Sequence, residues 1–188
     1  LDAPDRIVVT HDRDGAAEVA DYLQSLGHRE VAMITGPAAY RSAIERTHGF
    51  VGALQRRGIE LPPSRLVEAG YTFESGVAAA EKLLGAKKRP TAIFCGNDEM
   101  AVGVYQAARR AGLRIPEDVS IIGFDDSPIA TRIWPTLTTV RLPISHMGRI
   151  AAELLISKHD RLSMEPPTAT SVMPRLIVRD SAAAPAKR

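Results

Sequence analysis

The sequence predicts an α/β fold built on a doubly wound, mostly parallel sheet. Short apolar runs alternate along the chain with longer segments in which apolar residues recur every three to four positions, the spacing of one helix face. The apolar runs are nearly continuous, which is typical of strands that helices cover on both faces. Glycines also stand where the helical segments end, as helix C-termini favour.

Strands and helices follow one another in a regular order through the first two thirds of the chain. Five apolar runs predict strands at residues 7–9, 31–34, 66–69, 91–95 and 119–124. Helical spacing after the first four runs predicts helices that end at Gly27, Gly58, Gly85 and Gly112. Asp14, and either Asn97 or Asp98, are suited to cap two of these helices at their N-termini.

The pattern changes after Pro135. Residues 137–142 predict a further strand, and an amphipathic helix follows from Ser145 to Ser157. Residues 168–178 have the composition of extended chain broken at Pro174, which suggests a hairpin. The segment from 182 to 188 is rich in alanine, proline and lysine, so we expect a disordered tail there.

Composition limits the class of partner. The chain has 24 basic and 22 acidic residues and a formal charge of +2, too little to predict binding to nucleic acid or to an anionic membrane. No apolar run approaches the roughly 18 residues of a membrane span, and we see no signal peptide. Cys95 is the only cysteine, so an internal disulfide is excluded and a reducing, cytoplasmic compartment is expected.

Polar and aromatic side chains follow the predicted strands. The set consists of Tyr40 and Ser42 after the second strand, Arg46 one helical turn later, Phe73 after the third strand, Asn97 after the fourth and Asp125 after the fifth. Because the carboxyl ends of parallel strands meet at one edge of a sheet, we expect these side chains to converge there. Carboxylate, guanidinium and amide groups suit the hydroxyls of a sugar-like ligand, and an aromatic ring suits its C–H face.

Several of these residues, and Asp98 beside them, also have a purely structural interpretation. Asn97 and Asp98 are suited to helix capping, Phe73 to the core and Arg46 to an exposed helix face. Three further residues are best explained structurally: Asp126 as the cap of a short helix, Trp134 by packing, and His28 by a helix C-terminus.

Several segments resemble a known family. They are residues 27–32, 46–50, 89–101, 119–126 and 135–140, and they occur in the same order as in the effector domain of lactose-repressor-type transcription regulators. The similarity extends over about residues 7 to 181 and implies a two-lobed, periplasmic-binding-protein-like fold that holds a small effector between its lobes.

The resemblance also implies roles for residues and segments. The family's effector contacts fall on Ser42, Arg46, Phe73, Asn97 and Asp125, and on Tyr40, which are the positions at the strand ends. Residues 7–138 and 168–181 would form the second lobe, and residues 139–160 a crossover strand and helix that belong to the first lobe. The implied effector is a sugar or nucleoside and the implied assembly a homodimer. The family binds DNA through a helix-turn-helix headpiece, which this chain does not show, and the resemblance implies no cofactor.

Two other functions fit parts of the sequence. The positions of Asp12 and Asp14 after a strand resemble those of a haloacid-dehalogenase-type phosphatase, in which one aspartate is a nucleophile and another an acid or base. A periplasmic sugar-binding transport receptor is the other alternative, and the segment 135–140 argues against it. We expect a binding protein rather than an enzyme.

Overall fold

The computed structural model describes residues 8–157 and 171–186 of the chain. Eight strands are described: β1 (Val9–Thr10), β2 (Val31–Thr35), β3 (Leu66–Glu68), β4 (Ala92–Cys95), β5 (Ser120–Ile122), β6 (Thr139–Arg141), β7 (Ser171–Val172) and β8 (Arg175–Ile177). The helices are α1 (Asp12–Ser25), α2 (Arg41–Arg56), α3 (Phe73–Leu84), α4 (Asp98–Arg110) and α5 (Ile144–Ser157). Two short 3-10 turns lie at Pro63–Arg65 and Pro128–Thr131.

A parallel sheet of four strands, in the order β3-β2-β4-β5, organises the structure. Each strand is joined to the next in sequence by a helix, and β2 lies between β3 and β4, so the winding reverses direction inside the sheet. A ligand cleft is expected outside the carboxyl ends of the strands where this reversal occurs. The predicted doubly wound α/β fold is therefore confirmed.

Helices cover the sheet on both faces and form two cores. One core holds the apolar faces of α3 and α4, and its largest fully buried side chains include Ile93 and Ile121. The other core holds α1 and α2 and contains the rings of Phe50, Phe94 and Phe124. Burial on both faces explains why the strand sequences are apolar without alternation.

The last strands are arranged differently from the prediction. No hairpin joins β7 to β8; β7 pairs in parallel with β1, and β8 pairs antiparallel with β6. Pro174 lies between them and packs against Gly15 of α1, where an added Cβ would meet the proline ring at 2.8 Å. The two short strands thus join the chain's N-terminal and crossover segments, which a local pattern does not reveal.

The segment after Ser181 is also more ordered than expected. The backbone of Ala183 accepts a hydrogen bond from His28 at 2.8 Å and bonds Ser120 in both directions at 3.1 Å. His28 is buried rather than placed at an open helix end. The predicted disorder is therefore wrong for residues 182–186, and residues 187–188 lie outside the described part of the chain.

Three smaller predictions are corrected as well. Trp134 is 83% exposed instead of packed. The turn at Pro128–Thr131 has no side-chain cap, and Asp126 binds Arg141 and Arg179 instead. Helix α1 begins at Asp12, before Asp14. None of the helices in the described ranges is long and apolar enough to cross a membrane.

Candidate functional site

Arg46 occupies the carboxyl edge of the sheet. It extends from α2 and is only 6% exposed. Its Nε donates to Asp12 at 2.8 Å, one terminal nitrogen donates to the carbonyl of Gly96, and the same nitrogen lies 3.6 Å from an oxygen of Asp125. The side chain therefore connects the first helix with the ends of β4 and β5.

The guanidinium of Arg46 also packs on the face of an aromatic ring. The guanidinium carbon lies 3.8 Å from the centroid of the Phe124 ring. A cation over a ring face is attracted by the ring's quadrupole, by about 2 kcal/mol when both are desolvated. With two carboxylates and a ring around it, a buried arginine is well compensated. The structural interpretation of Arg46 as an exposed helix arginine is wrong.

Asp125 is the carboxylate at this edge that solvent reaches. Its side chain is 37% exposed, whereas that of Asp12 is 4% exposed and also accepts from Thr10. Burial raises the pKa of Asp125 to about 7; the positive charge of Arg46 opposes this shift, and the negative charges of Asp98 and Asp12 add to it. Hydroxyl donors from a ligand would favour the charged carboxylate.

The backbone at Asp125 is strained. Asp125 has φ +117° and Asp126 has φ +55°, both in the region that side-chain-bearing residues rarely adopt. Such residues persist where the surroundings fix them, and they are concentrated at binding sites. Burial would raise the pKa of Asp126, but hydrogen bonds from Arg141 and Arg179 outweigh it and hold that pKa below its usual value.

Two tyrosines stand beside this edge. The rings of Tyr40 and Tyr71 are 6.0 Å apart and tilted by 55°, and Tyr40 is 57% exposed. Tyr71 has φ +63°, and its ring lies so close to Gly36 that an added Cβ would overlap it. The Tyr71 hydroxyl is buried, and no hydrogen-bond partner for it exists within the described residues.

Asn97 belongs to the same edge but is committed to the backbone. Its Oδ1 accepts from the amide of Met100 at 2.9 Å, which caps α4, and its Nδ2 donates to the carbonyl of Tyr71 at 3.0 Å. Asn97 therefore fixes the start of α4 and the position of Tyr71 together. Both the capping and the strand-end interpretation describe it.

Ser42 lies on the side of the edge nearest α1. It lines a small cavity of about 160 Å³ together with Thr10, Asp12 and Glu45. Ser42 therefore shares this cavity with Asp12, the carboxylate that binds Arg46. Five of the six predicted residues thus lie at this edge of the sheet: Tyr40, Ser42, Arg46, Asn97 and Asp125.

Phe73 does not join them. It lines a groove of about 550 Å³ along α4, with Val102, Tyr105 and Trp134 among the other lining residues. Phe73 is the first residue of α3, whose first turn packs on α4. Tyr71, two residues earlier in the loop that follows β3, holds the position expected of Phe73. The signal for Tyr71 was its place in the loop that follows the strand.

Asp98 was expected to cap α4, and that expectation is wrong as well. Asn97 provides the cap, while Asp98 is 1% exposed and accepts hydrogen bonds from Ser127 and Thr139. The sequence offers a weak signal for this role, since two polar residues in succession precede the helix and only one can cap it.

The aspartates of the phosphatase alternative are engaged otherwise. The carboxylate of Asp12 is held by Arg46 and Thr10, and Asp14 is exposed and lies 3.1 Å from His11. Within residues 8–157 and 171–186, no three His, Cys, Asp or Glu side chains are grouped as metal ligands would be.

Comparison with known proteins identifies the family to which this fold belongs. A family model described as a periplasmic binding protein-like domain matches residues 20–182. The chain belongs to the periplasmic binding protein-like domain family. Within this family it corresponds to the effector-binding region of LacI-type regulators.

Named relatives and solved structures support this correspondence. The chain is 38% identical over 178 residues to the HTH-type transcriptional repressor PurR of Escherichia coli O1:K1, covering 94% of this chain and 51% of that protein. It is 36% identical over 177 residues to the probable HTH-type transcriptional repressor ExuR of Bacillus subtilis, covering 93% and 52%. The chain thus spans about half the length of these relatives.

Two solved structures have the same fold. A sugar-binding transcriptional regulator of the LacI family from Escherichia coli, complexed with phosphate, superposes with a TM-score of 0.86 at 34% identity, covering 95% of this chain and 63% of that one. A LacI family transcriptional regulator from Mycobacterium smegmatis gives a TM-score of 0.83 at 32% identity, covering 97% and 68%.

Proposed function

We propose that this chain is the effector-sensing part of a transcriptional repressor and that it binds a small hydroxylated ligand, a sugar or a nucleoside, without transforming it. One observation carries the proposal: a buried Arg46, shared between two carboxylates, presents the exposed face of Asp125 at the edge where the sheet reverses direction. This arrangement offers hydrogen-bond acceptors to hydroxyl groups. The repressor names of the relatives support the regulatory part.

The binding residues proposed are Tyr40, Ser42, Arg46, Tyr71, Asn97 and Asp125. Asp125 accepts from ligand hydroxyls, and the two tyrosine rings provide faces for a sugar ring or a flat base. Asn97 acts partly through Tyr71, whose carbonyl it binds at 3.0 Å. Phe73 is left out because its ring lines the groove on α4.

The proposed site is one wall of a cleft. We propose that residues 7–138 and 168–181 form one lobe and that residues 139–160 cross toward a second lobe. Residues 158–170 are outside the described part. In the intact repressor, ligand would favour the closed cleft and so change the affinity for DNA, which requires a differential binding free energy of about 1–3 kcal/mol. DNA itself would be bound by a separate headpiece in the cytoplasm.

We further propose a homodimer that forms through the groove on α4. The groove displays Trp134 to solvent beside the half-buried Tyr105, and the exposed face of α4 has Glu99 at its start and Arg109 at its end. Neither charge forms an ion pair within the described residues. Two copies of α4 crossing antiparallel about a two-fold axis would bring Glu99 of each copy to Arg109 of the other.

A thermal-shift screen of sugars and nucleosides on the intact protein tests the effector proposal. A ligand that binds only the native state raises the melting temperature. At a ligand concentration one hundred times its Kd, the free energy of unfolding increases by about 2.7 kcal/mol. Asp125→Ala should abolish the shift. Asp21→Ala is the matched control, because Asp21 is an exposed carboxylate paired with Arg57 on a distant helix face. A ligand that stabilises Asp125→Ala as much as the wild type would refute the site.

A further inference from the structure

Asp98 is a buried carboxylate that the proposed site does not use directly. It is 1% exposed and lies at the start of α4. One oxygen accepts from the amide and the hydroxyl of Ser127, at 2.7 and 3.0 Å, and the other accepts from the hydroxyl of Thr139 at 2.5 Å. All donors found for it among the described residues are neutral, so this carboxylate serves as an acceptor and not as half of an ion pair.

The strand that leads to Asp125 is shaped around this carboxylate. A Cβ added to Gly123 would lie 2.3 Å from an oxygen of Asp98 and 2.9 Å from Leu137. Any larger residue at 123 would therefore displace the carboxylate or the strand. The absence of a side chain at Gly123 thus allows the carboxylate of Asp98 to pack against the backbone of the strand.

The loop from Asp125 to Ser127 is strained and is fixed on both sides. Its two aspartates have positive φ, a strained conformation that persists only where the surroundings impose it. The amide of Asp125 donates to the carbonyl of Val140 at 2.8 Å on one side. On the other side the amide of Ser127 is bound by Asp98. The carboxylate of Asp98 therefore fixes the loop at Ser127, the end that β6 does not hold.

Thr139 links the same carboxylate to the crossover strand. Its hydroxyl donates to Asp98, and it lies 3.4 Å from the amide of Asp126, from which it accepts. Thr139 is the first residue of β6, and Leu142, just after that strand, donates back to the carbonyl of Asp125 at 3.5 Å. The loop and the crossover strand therefore share one buried acceptor.

We propose that Asp98 is a positioning residue, which holds Asp125 in its ligand-binding orientation and ties that loop to β6. Displacement of Asp125 by a ligand would then move the crossover strand with it. The inference rests on the proposed function for the ligand role of Asp125, but its test needs no ligand. Failure of the ligand screen and failure of this test are therefore distinguishable.

Amide hydrogen exchange in the intact protein tests the mechanical part. Asp98→Ala removes the acceptor, and Thr139→Val removes only the hydroxyl link. Each should speed exchange at Asp126 and Ser127, and at Leu142 beyond β6, by about tenfold or more, because a hydrogen bond to a charged group is lost. The amides of β2 should keep their protection.

Matched controls exist for both variants. Glu74→Ala removes an exposed carboxylate from the first turn of the neighbouring helix α3, and Thr136→Val removes a hydroxyl that binds the exposed Asp180. Neither should alter exchange at Ser127. If Asp98→Ala does not fold, Thr139→Val alone decides the exchange test. The proposal would be overturned if the exchange rate at Ser127 stayed unchanged. It would also be overturned if exchange became faster at Ser127 but not at Leu142.

A titration separates positioning from mere structural support. The charged groups that face Asp125 are Arg46, Asp12 and Asp98, and the charge of Asp98 is one of those that raise the pKa of Asp125. Asp98→Asn keeps the shape and removes the charge, so the carboxyl carbon of Asp125 should titrate at a pH below about 7. Glu74→Gln, which changes an exposed carboxylate on α3, should not shift that titration. A titration midpoint unchanged by Asp98→Asn would show that the two carboxylates do not act together.

Discussion

The guanidinium of Arg46 lies 3.8 Å from the centroid of the Phe124 ring while its Nε donates to Asp12 at 2.8 Å. One cation is thus shared among an aromatic face, the buried carboxylate of Asp12 and the half-buried carboxylate of Asp125. This relationship joins core packing to the site, because Phe124 is a core residue and Asp125 is its neighbour in sequence. Stability and ligand binding should therefore respond together to changes at this arginine.

Arg46→Met should strongly destabilise the protein as well as abolish effector binding. The substitution leaves Asp12 buried without its cation, and breaking a buried pair on one side costs about 3–5 kcal/mol. Arg57→Met is the control, since its exposed pair with Asp21 contributes about 0–1 kcal/mol. Urea unfolding measures both. A loss below 1 kcal/mol for Arg46→Met would contradict the role assigned to the pair.

Asp125→Asn should stabilise the empty protein in a pH-dependent way. The folded pKa of about 7 lies above the ordinary value of 3.8, so between these values the native state binds more protons than the unfolded state. Stability then falls as the pH rises through this window. Asparagine removes the effect, so the variant should melt higher than the wild type at pH 7.5 and similarly at pH 4. Equal melting temperatures at pH 7.5 would show that Asp125 is not disfavoured as an anion.

The strand and helix pattern was predictable because buried positions are apolar, and the spacing of apolar residues differs between strands and helices. The buried run Val31–Thr35 and the helices around it follow directly from apolar spacing. The convergence at the sheet edge followed from topology, since parallel strands all end there. What could not be predicted was which way a loop side chain turns. Tyr71 and Phe73 are two residues apart, and only the packing of α3 on α4 decides which ring reaches the edge.

Long-range hydrogen bonds explain the other differences. Ala183 is bound by His28, 155 residues earlier, and nothing in an alanine- and proline-rich tail indicates such a partner. Asp98 likewise finds Thr139 across 41 residues. Single-sequence patterns report local spacing, so contacts of this kind appear only once the fold is known.

His28 should make the protein sensitive to acid. Burial lowers the pKa of His28, and the hydrogen bond to the Ala183 carbonyl only partly opposes this. A depressed pKa in the folded state contributes stability above the unfolded value of about 6.5, and that stability is lost as the pH falls below it. His28→Gln should therefore flatten the dependence of the unfolding free energy on pH below about 6.5. An unchanged slope in urea titrations at these pH values would refute this.

Trp134→Ser should separate dimer formation from folding. At 83% exposure the indole adds little to the stability of one subunit, and surface substitutions of this kind are usually within about 0.5 kcal/mol. If the groove on α4 is the dimer interface, sedimentation should show a shift toward monomer. The double variant Trp134→Ser/Arg109→Glu should weaken the dimer further. The charge-swapped variant Glu99→Arg/Arg109→Glu keeps Trp134 and re-forms the ion pair in reverse, so it should dimerise better than Trp134→Ser/Arg109→Glu. Unaltered sedimentation in all three variants would place the interface elsewhere.

Tyr71→Phe should distinguish a ligand contact from packing. The Tyr71 hydroxyl is buried and has no hydrogen-bond partner within the described residues, so its removal should leave stability unchanged or slightly increased. If a ligand binds that hydroxyl, affinity should fall by about two- to twelvefold in Tyr71→Phe, because one hydrogen bond contributes about 0.5–1.5 kcal/mol. Tyr105→Phe is the matched control, since its hydroxyl already donates to the Pro135 carbonyl at 2.8 Å, away from the cleft. Calorimetry with the ligand from the thermal screen measures both variants. Equal affinity of Tyr71→Phe and the wild type would assign the ring, and not the hydroxyl, to ligand contact.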